Sequence, residues 1–154
     1  MSTLNHFGLT VKSIERSLEF YCDQIGFPRP DSISESSGEW IEKVTATADT
    51  LLRVAFVDTG DGAILELLEY ARPDDGVATN DLRHHDVGSA HIAVNTDDIE
   101  GALERLSRAG ARPVSDPQYI PSGGWEGTWI VYLRDPDGNT VELVQHPRQA
   151  TTDE

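Results

Sequence analysis

Two short phrases recur in this chain, and the recurrence constrains the fold more than any other feature. Residues 61–67 read D-G-A-I-L-E-L and residues 137–143 read D-G-N-T-V-E-L. Upstream of each lies a second match, H-F-G-L-T-V-K-S-I-E-R-S-L-E at 6–19 and H-I-A-V-N-T-D-D-I-E-G-A-L-E at 91–104. Apolar positions coincide at Phe7/Ile92, Leu9/Val94, Ile14/Ile99 and Leu18/Leu103, and acidic ones at Glu15/Glu100 and Glu19/Glu104. Self-similarity on this scale means one supersecondary unit written twice. Modules are expected over 1–70 and 88–148, with a turn-rich linker over 71–87 and a short tail over 149–154. A chain of 154 residues suits two such modules in one structural domain.

Within each module the periodicity changes in the same order. L-N-H-F-G-L-T-V and A-H-I-A-V-N alternate as strands, with His6, Gly8 and Thr10 opposite Phe7, Leu9 and Val11, and His91 opposite Ile92. Helices follow. Ser13 is the expected N-cap before Ile14, Leu18 and Tyr21, and Asp98 the expected N-cap before Ile99, Leu103 and Leu106, with Gly110 closing the second helix. L-L-R-V-A-F-V and A-I-L-E-L-L-E-Y then read as strands in the first module, W-I-V-Y-L and T-V-E-L-V in the second. D-T-G-D-G and R-D-P-D-G-N supply the tight turns between them. A short helix is expected around G-E-W-I-E-K-V. The order is β-α-β-β-β, twice.

A glutamate sits inside the last apolar strand of each module. Burying an unpaired charge costs several kcal/mol, so Glu66 and Glu142 face either water or a positive partner. Each module also puts a histidine at its first strand, His6 and His91. Taken singly, each histidine reads as a hydrogen-bonded strand residue and each glutamate as solvent-facing. Matched pairs at equivalent places in both modules point elsewhere. If a pseudo-twofold relates the modules, His6, Glu66, His91 and Glu142 can converge, and two imidazoles with two carboxylates suit a divalent metal.

On these residues, from L-N-H-F-G-L-T-V to R-D-P-D-G-N-T-V-E-L-V-Q, the chain resembles the vicinal oxygen chelate superfamily. That group includes glyoxalase I, methylmalonyl-CoA epimerase, the extradiol dioxygenases, and the fosfomycin and bleomycin resistance proteins. The resemblance implies an α+β fold, with two βαβββ modules in tandem forming curled mixed sheets around a metal cleft. It implies His6, Glu66, His91 and Glu142 as ligands of one divalent metal per chain (Zn, Ni, Co, Mn or Fe), with Glu66 or Glu142 also serving as base. The implied activity is an isomerase or lyase of glyoxalase or epimerase type, acting through an enolate on a small substrate with vicinal oxygens. A homodimer is implied too. Two alternatives share the fold. One is a metabolite- or antibiotic-binding resistance protein. The other is a non-haem Fe(II) ring-cleaving dioxygenase, against which the fourth protein ligand, Glu66, argues.

Further contacts with substrate are expected from Arg53, Phe56, Tyr119, Trp125 and Tyr132. Arg53 falls where the methylmalonyl-CoA epimerase carries an acid/base glutamate. An arginine cannot act as a base at neutral pH, so that activity in the strict sense is not expected. Arg53 either binds a substrate oxygen or is simply ion-paired. Phe56 and Tyr132 occupy equivalent strand places. Tyr119 and Trp125 belong to the glycine-rich stretch Q-Y-I-P-S-G-G-W-E-G-T-W, which reads as an aromatic lid or as a surface loop. His84 and His85, in the linker, are expected to be exposed.

Composition narrows the partners. The formal net charge is −15, with no basic stripe, so neither nucleic acid nor an anionic membrane is an expected partner. No apolar run has the length of a membrane helix, and the N-terminus does not resemble a secretory signal. Cys22 is the only cysteine, which fits a reducing, cytoplasmic setting.

Overall fold

The structure is a computed structural model and describes residues 1–148. The expected tail at 149–154 lies outside them. The chain forms two compact units, Met1–Thr79 and a second from Asn80 onward. The first unit runs β1 (Phe7–Thr10), α1 (Ile14–Leu18), β2 (Ser34–Ser37), α2 (Glu39–Thr45), β3 (Leu51–Asp58) and β4 (Ile64–Arg72), and α1 continues into a π-helical segment over Glu19–Ile25. The second runs β5 (His91–Asn95), α3 (Ile99–Arg108), β6 (Arg112–Pro113), β7 (Gln118–Tyr119), β8 (Trp129–Arg134) and β9 (Thr140–Gln145).

Each unit is built on one mixed sheet. In the first the strand order is β1-β4-β3-β2, and in the second β5-β9-β8-β6, with β7 also paired to β8. The opening strand of each unit lies parallel to the closing one, with Gly8 opposite Glu66 and Ala93 opposite Glu142. The hairpins β3–β4 and β8–β9 are antiparallel. A parallel pair needs a crossover, and the helix between the strands provides it. Both N-caps form as expected. Ser13 Oγ accepts the Arg16 N–H at 3.3 Å, and Asp98 Oδ1 accepts the Gly101 N–H at 3.0 Å.

The helices define the inner face of each sheet. α1 packs on β3 and β4, and Ile14, Leu18 and Tyr21 are buried together with Ala55, Val57, Leu65 and Leu67. α3 packs on β9, and Ile99, Ala102 and Leu106 are buried together with Val131, Leu133, Val141 and Leu143. Because side chains alternate along a strand, Glu66 and Glu142 emerge on the opposite face. In the first unit part of that opposite face is also covered. Ile41 of α2 packs there with Leu52, Val54, Leu68 and Tyr70, leaving Glu66 at the uncovered end.

Two details depart from the simple β-α-β-β-β order. In the first unit the edge strand β2, S-E-S-S, has no apolar alternation, and α2 is inserted between it and β3. In the second unit the corresponding strand is split into two-residue pieces, β6 and β7, both paired to β8.

Candidate metal centre

The duplicated frame delivers two matched pairs. His6 precedes β1, and its Nε2 lies 3.0 Å from Glu66 Oε2 on β4. His91 opens β5, and its Nε2 lies 3.1 Å from Glu142 Oε2 on β9. The glutamates are mostly covered, at 15% and 11% side-chain exposure, and the histidines sit at the rim, at 36% and 45%. Each pair has an aromatic neighbour from the adjoining strand. Phe56 stands directly opposite Glu66, with its ring 6.0 Å from the His6 ring. Tyr132 stands directly opposite Glu142, with its ring 5.2 Å from the His91 ring. Burial and the Glu142 charge push the Tyr132 phenol above its ordinary value.

The donor set fits a divalent cation. A six-coordinate ion with bonds of about 2.1 Å holds adjacent donor atoms about 3.0 Å apart, the spacing seen in both pairs. The surroundings of His6 add a second argument. Its Nδ1 lies 2.7 Å from Asn5 Oδ1, an acceptor, so Nδ1 carries a proton and donates it. In the neutral ring Nε2 is then a bare lone pair, facing a carboxylate oxygen. Two acceptors at 3.0 Å require a cation between them, either a second proton or a metal. The described residues contain no group of three or more His, Cys, Asp or Glu placed to hold a metal. The four candidates thus form two pairs, one within each unit.

Three expected substrate contacts lie elsewhere. Arg53 is two residues from Ala55 on β3 and shares the inner, helix-covered face, not the face of Glu66 and Phe56. There it is held by carboxylates, with Nη2 2.5 Å from Glu15 Oε1 and Nη1 3.0 Å from Glu69 Oε2, and with Glu35 at 3.7 Å. Glu69 Oε2 also accepts the Ile14 N–H at 2.8 Å, so this cluster ties β3, β4 and the start of α1 together. Hydrogen bonding from Arg53 lowers the Glu15 carboxyl to about 2. Arg53 is thus ion-paired on the helix-covered face.

Tyr119 also has a partner of its own. It lies in β7 opposite Trp129, with the two rings 5.4 Å apart, and Trp129 alternates with Tyr132 across β8. Tyr119 thus belongs to the face away from Glu142. Trp125, in the turn before β8, rests its ring 5.3 Å from that of His146. His146 lies four residues beyond Glu142, about 13 Å along an extended chain.

Two residues near the pairs were not read as site residues from sequence. Asn5 is adjacent to His6 and fixes its tautomer. His84, in the segment before β5, is exposed as expected, but its ring lies 5.1 Å from that of Tyr132. Partial burial, Arg134 and the neighbouring His91 and His85 lower its pKa, which favours the neutral ring.

The chain is similar to proteins of one family throughout its length. The family model described as "Glyoxalase/Bleomycin resistance protein/Dioxygenase superfamily" matches residues 3–143. A 2-epi-5-epi-valiolone epimerase from Actinomyces sp. is 31% identical over 150 residues, covering 96% of this chain and 81% of that protein. A lactoylglutathione lyase from Neisseria meningitidis is 31% identical over 144 residues, covering 92% of this chain and 89% of that protein. A crystal structure of a glyoxalase family protein from Bacillus cereus superposes with a TM-score of 0.82 at 21% identity, covering 96% of each chain, a likeness of fold.

Proposed function

The chain belongs to the glyoxalase/bleomycin resistance protein/dioxygenase superfamily, and from that premise we propose that it is a divalent-metal-dependent isomerase or lyase acting on a small carbonyl substrate with a neighbouring oxygen. Its relatives in the preceding comparison are an epimerase and a lyase, which supports an isomerase or lyase activity. The observation that carries the metal dependence is the pair of matched Nε2–Oε2 separations, 3.0 and 3.1 Å, at equivalent places in two units. In this reading His6, Glu66, His91 and Glu142 together ligate one divalent ion per chain. A cation held there supplies Lewis acidity, which acidifies the C–H next to a carbonyl.

The chain's own residues do the rest. Glu66 and Glu142 are the groups able to take a proton from carbon and return it. Return to the same carbon from the other side inverts it, as an epimerase does. Return to the adjoining carbon, with that neighbour's hydroxyl proton passing to the old carbonyl oxygen, moves the carbonyl, as an isomerase does. Phe56 and Tyr132 flank the two carboxylates and displace water from their outer sides, which strengthens every charge interaction there. Asn5 holds the His6 ring in the tautomer that presents Nε2. A homodimer is part of the same proposal, with sedimentation as its test.

The decisive measurement is metal content by elemental mass spectrometry, on protein purified without a metal-affinity tag, beside a Glu66→Gln/Glu142→Gln variant. The expected result is about one divalent ion per chain, lost in the variant. A wild-type protein that neither carries nor takes up Zn, Ni, Co, Mn or Fe would refute the catalytic reading and leave a ligand-binding protein on this fold.

A further inference from the structure

We propose that His84 is a further substrate-contacting residue, which hydrogen-bonds a hydroxyl of the substrate lying beyond the oxygens nearest the metal. The inference rests on the metal reading above and adds a substrate class to it, a carbonyl compound bearing an extra neutral hydroxyl.

The argument begins with how the segment carrying His84 is held. The Asn80 N–H donates to the Asp137 carbonyl at 2.8 Å, and Asn80 Nδ2 donates to Asn139 Oδ1 at 3.4 Å. Arg134 Nη2 donates to the Leu82 carbonyl at 2.5 Å while its Nη1 donates to the Gly138 carbonyl at 2.8 Å. The Arg83 side chain closes on Asp86, with Nη2 2.6 Å from Oδ1, and the Asp86 N–H returns to the Arg83 carbonyl at 3.0 Å. Contact at the D-P-D-G-N turn is so close that a Cβ on Gly138 would stand 2.5 Å from the Asn80 carbonyl oxygen.

This strap is fastened by polar contacts and buries little. Leu82 and Val87, its large apolar side chains, are exposed. Apolar burial is the dominant favourable contribution to folding, so a strap that forgoes it gains little for the core. What its fastening achieves is the placement of one side chain. His84 lies against one side of Tyr132, at 5.1 Å between ring centroids and a tilt of 33°. His91 lies against the same ring at 5.2 Å and 42°. Tyr132 is directly opposite Glu142, so the imidazole of His84 is one ring contact beyond the His91–Glu142 pair. A neutral imidazole offers one donor and one acceptor, which is what a hydroxyl needs, and an anionic group would use only the donor.

The test compares two hydroxamates on the Co(II)-loaded protein, read by the visible spectrum of the cobalt. Acetohydroxamate offers only the two chelating oxygens. 2,3,N-Trihydroxypropanamide offers the same chelate with two further hydroxyls. The wild type is expected to prefer the hydroxylated ligand by about tenfold, His84→Ala to lose that preference, and His84→Gln to retain part of it. Acetohydroxamate affinity and the cobalt spectrum of the free protein should be the same in all three. His84 is exposed, so its replacement leaves folding intact. A wild type that takes up no Co(II) would overturn the metal reading and this inference together. A wild type that binds Co(II) but shows no preference, or a preference that survives in His84→Ala, would overturn this inference alone.

Discussion

Replacing Arg53 separates a structural role from a catalytic one, and its size follows from the geometry. Arg53→Met keeps the apolar stem and removes the guanidinium. The guanidinium is 22% exposed and its partner Glu69 is 16% exposed, so the pair is neither a surface ion pair nor a sealed one. Exposed pairs contribute about 0.2–1 kcal/mol, whereas stripping one partner from a buried pair costs about 3–5 kcal/mol. The substitution also leaves Glu15 and Glu69 facing each other without a cation. A loss of about 2 kcal/mol is expected, which for a chain of this length lowers the melting temperature by about 4–8 °C. The pH dependence gives an independent check. The Glu15 carboxyl is lowered from 4.5 to about 2 in the folded protein, chiefly by its hydrogen bond from Arg53. A depressed carboxylate contributes stability above its unfolded pKa and loses it as pH falls through the folded value. The gap between wild type and Arg53→Met, measured by urea unfolding, should therefore be full above about pH 4.5 and shrink steadily toward pH 2. Metal content and turnover at 25 °C should be unchanged, because Arg53 is on the face away from Glu66. A variant that melts with the wild type but loses turnover would refute this account and return Arg53 to the substrate.

Two further substitutions test the supports of the paired ligands. Asn5→Ala removes the acceptor that fixes the His6 tautomer. Metal affinity, measured by competition with a chromophoric chelator, should fall by about 10–100-fold while the melting temperature of the metal-free protein stays put; an unchanged affinity would mean that the Asn5 contact does not orient the ligand. Gly138→Ala places a Cβ at 2.5 Å from the Asn80 carbonyl at a residue with φ near +86°, so both the strap and the turn must shift. A loss of about 1–2 kcal/mol in urea unfolding is expected, with amide exchange rising across 80–86; protection that stays at the wild-type level there would show that the strap is not held by this contact.

The parts of the fold that were legible in the sequence are those where a local pattern and a tertiary demand coincide. β3, β4, β8 and β9 are short apolar runs bounded by turn residues, and the Ser13 and Asp98 caps are chemical signals for a helix start. β2 was not legible because S-E-S-S is an edge strand whose partner, not its own pattern, defines it. The relation of Arg53 to Glu66 was not legible for a different reason. Its face follows from counting along β3, but its relation to Glu66 needs the register of β3 against β4, and a one-residue slip exchanges the two faces. The observed register puts Phe56 opposite Glu66 and Arg53 opposite Glu69. His84 left no periodic trace at all, since its place depends on hydrogen bonds from Asn80 and Arg134 to residues more than fifty positions away.

The repetition accounts for the two His–Glu pairs, and the two copies differ in what surrounds each pair. Both units place a glutamate opposite an aromatic residue and beside a histidine, so ligand geometry is preserved by the shared β-register. The surroundings are not shared. Around Glu66 stand Phe56, which offers no polar atom, and Gly8, whose missing side chain leaves 3.3 Å between a would-be Cβ and Glu66 Oε2. Around Glu142 stand Tyr132, with a phenol, and beyond it His84, with an imidazole. The first pair has an apolar ring beside it, and the second a phenol with an imidazole beyond. Duplication thus supplies the same His–Glu pair in each unit, and substitution around each pair makes the two surroundings unequal.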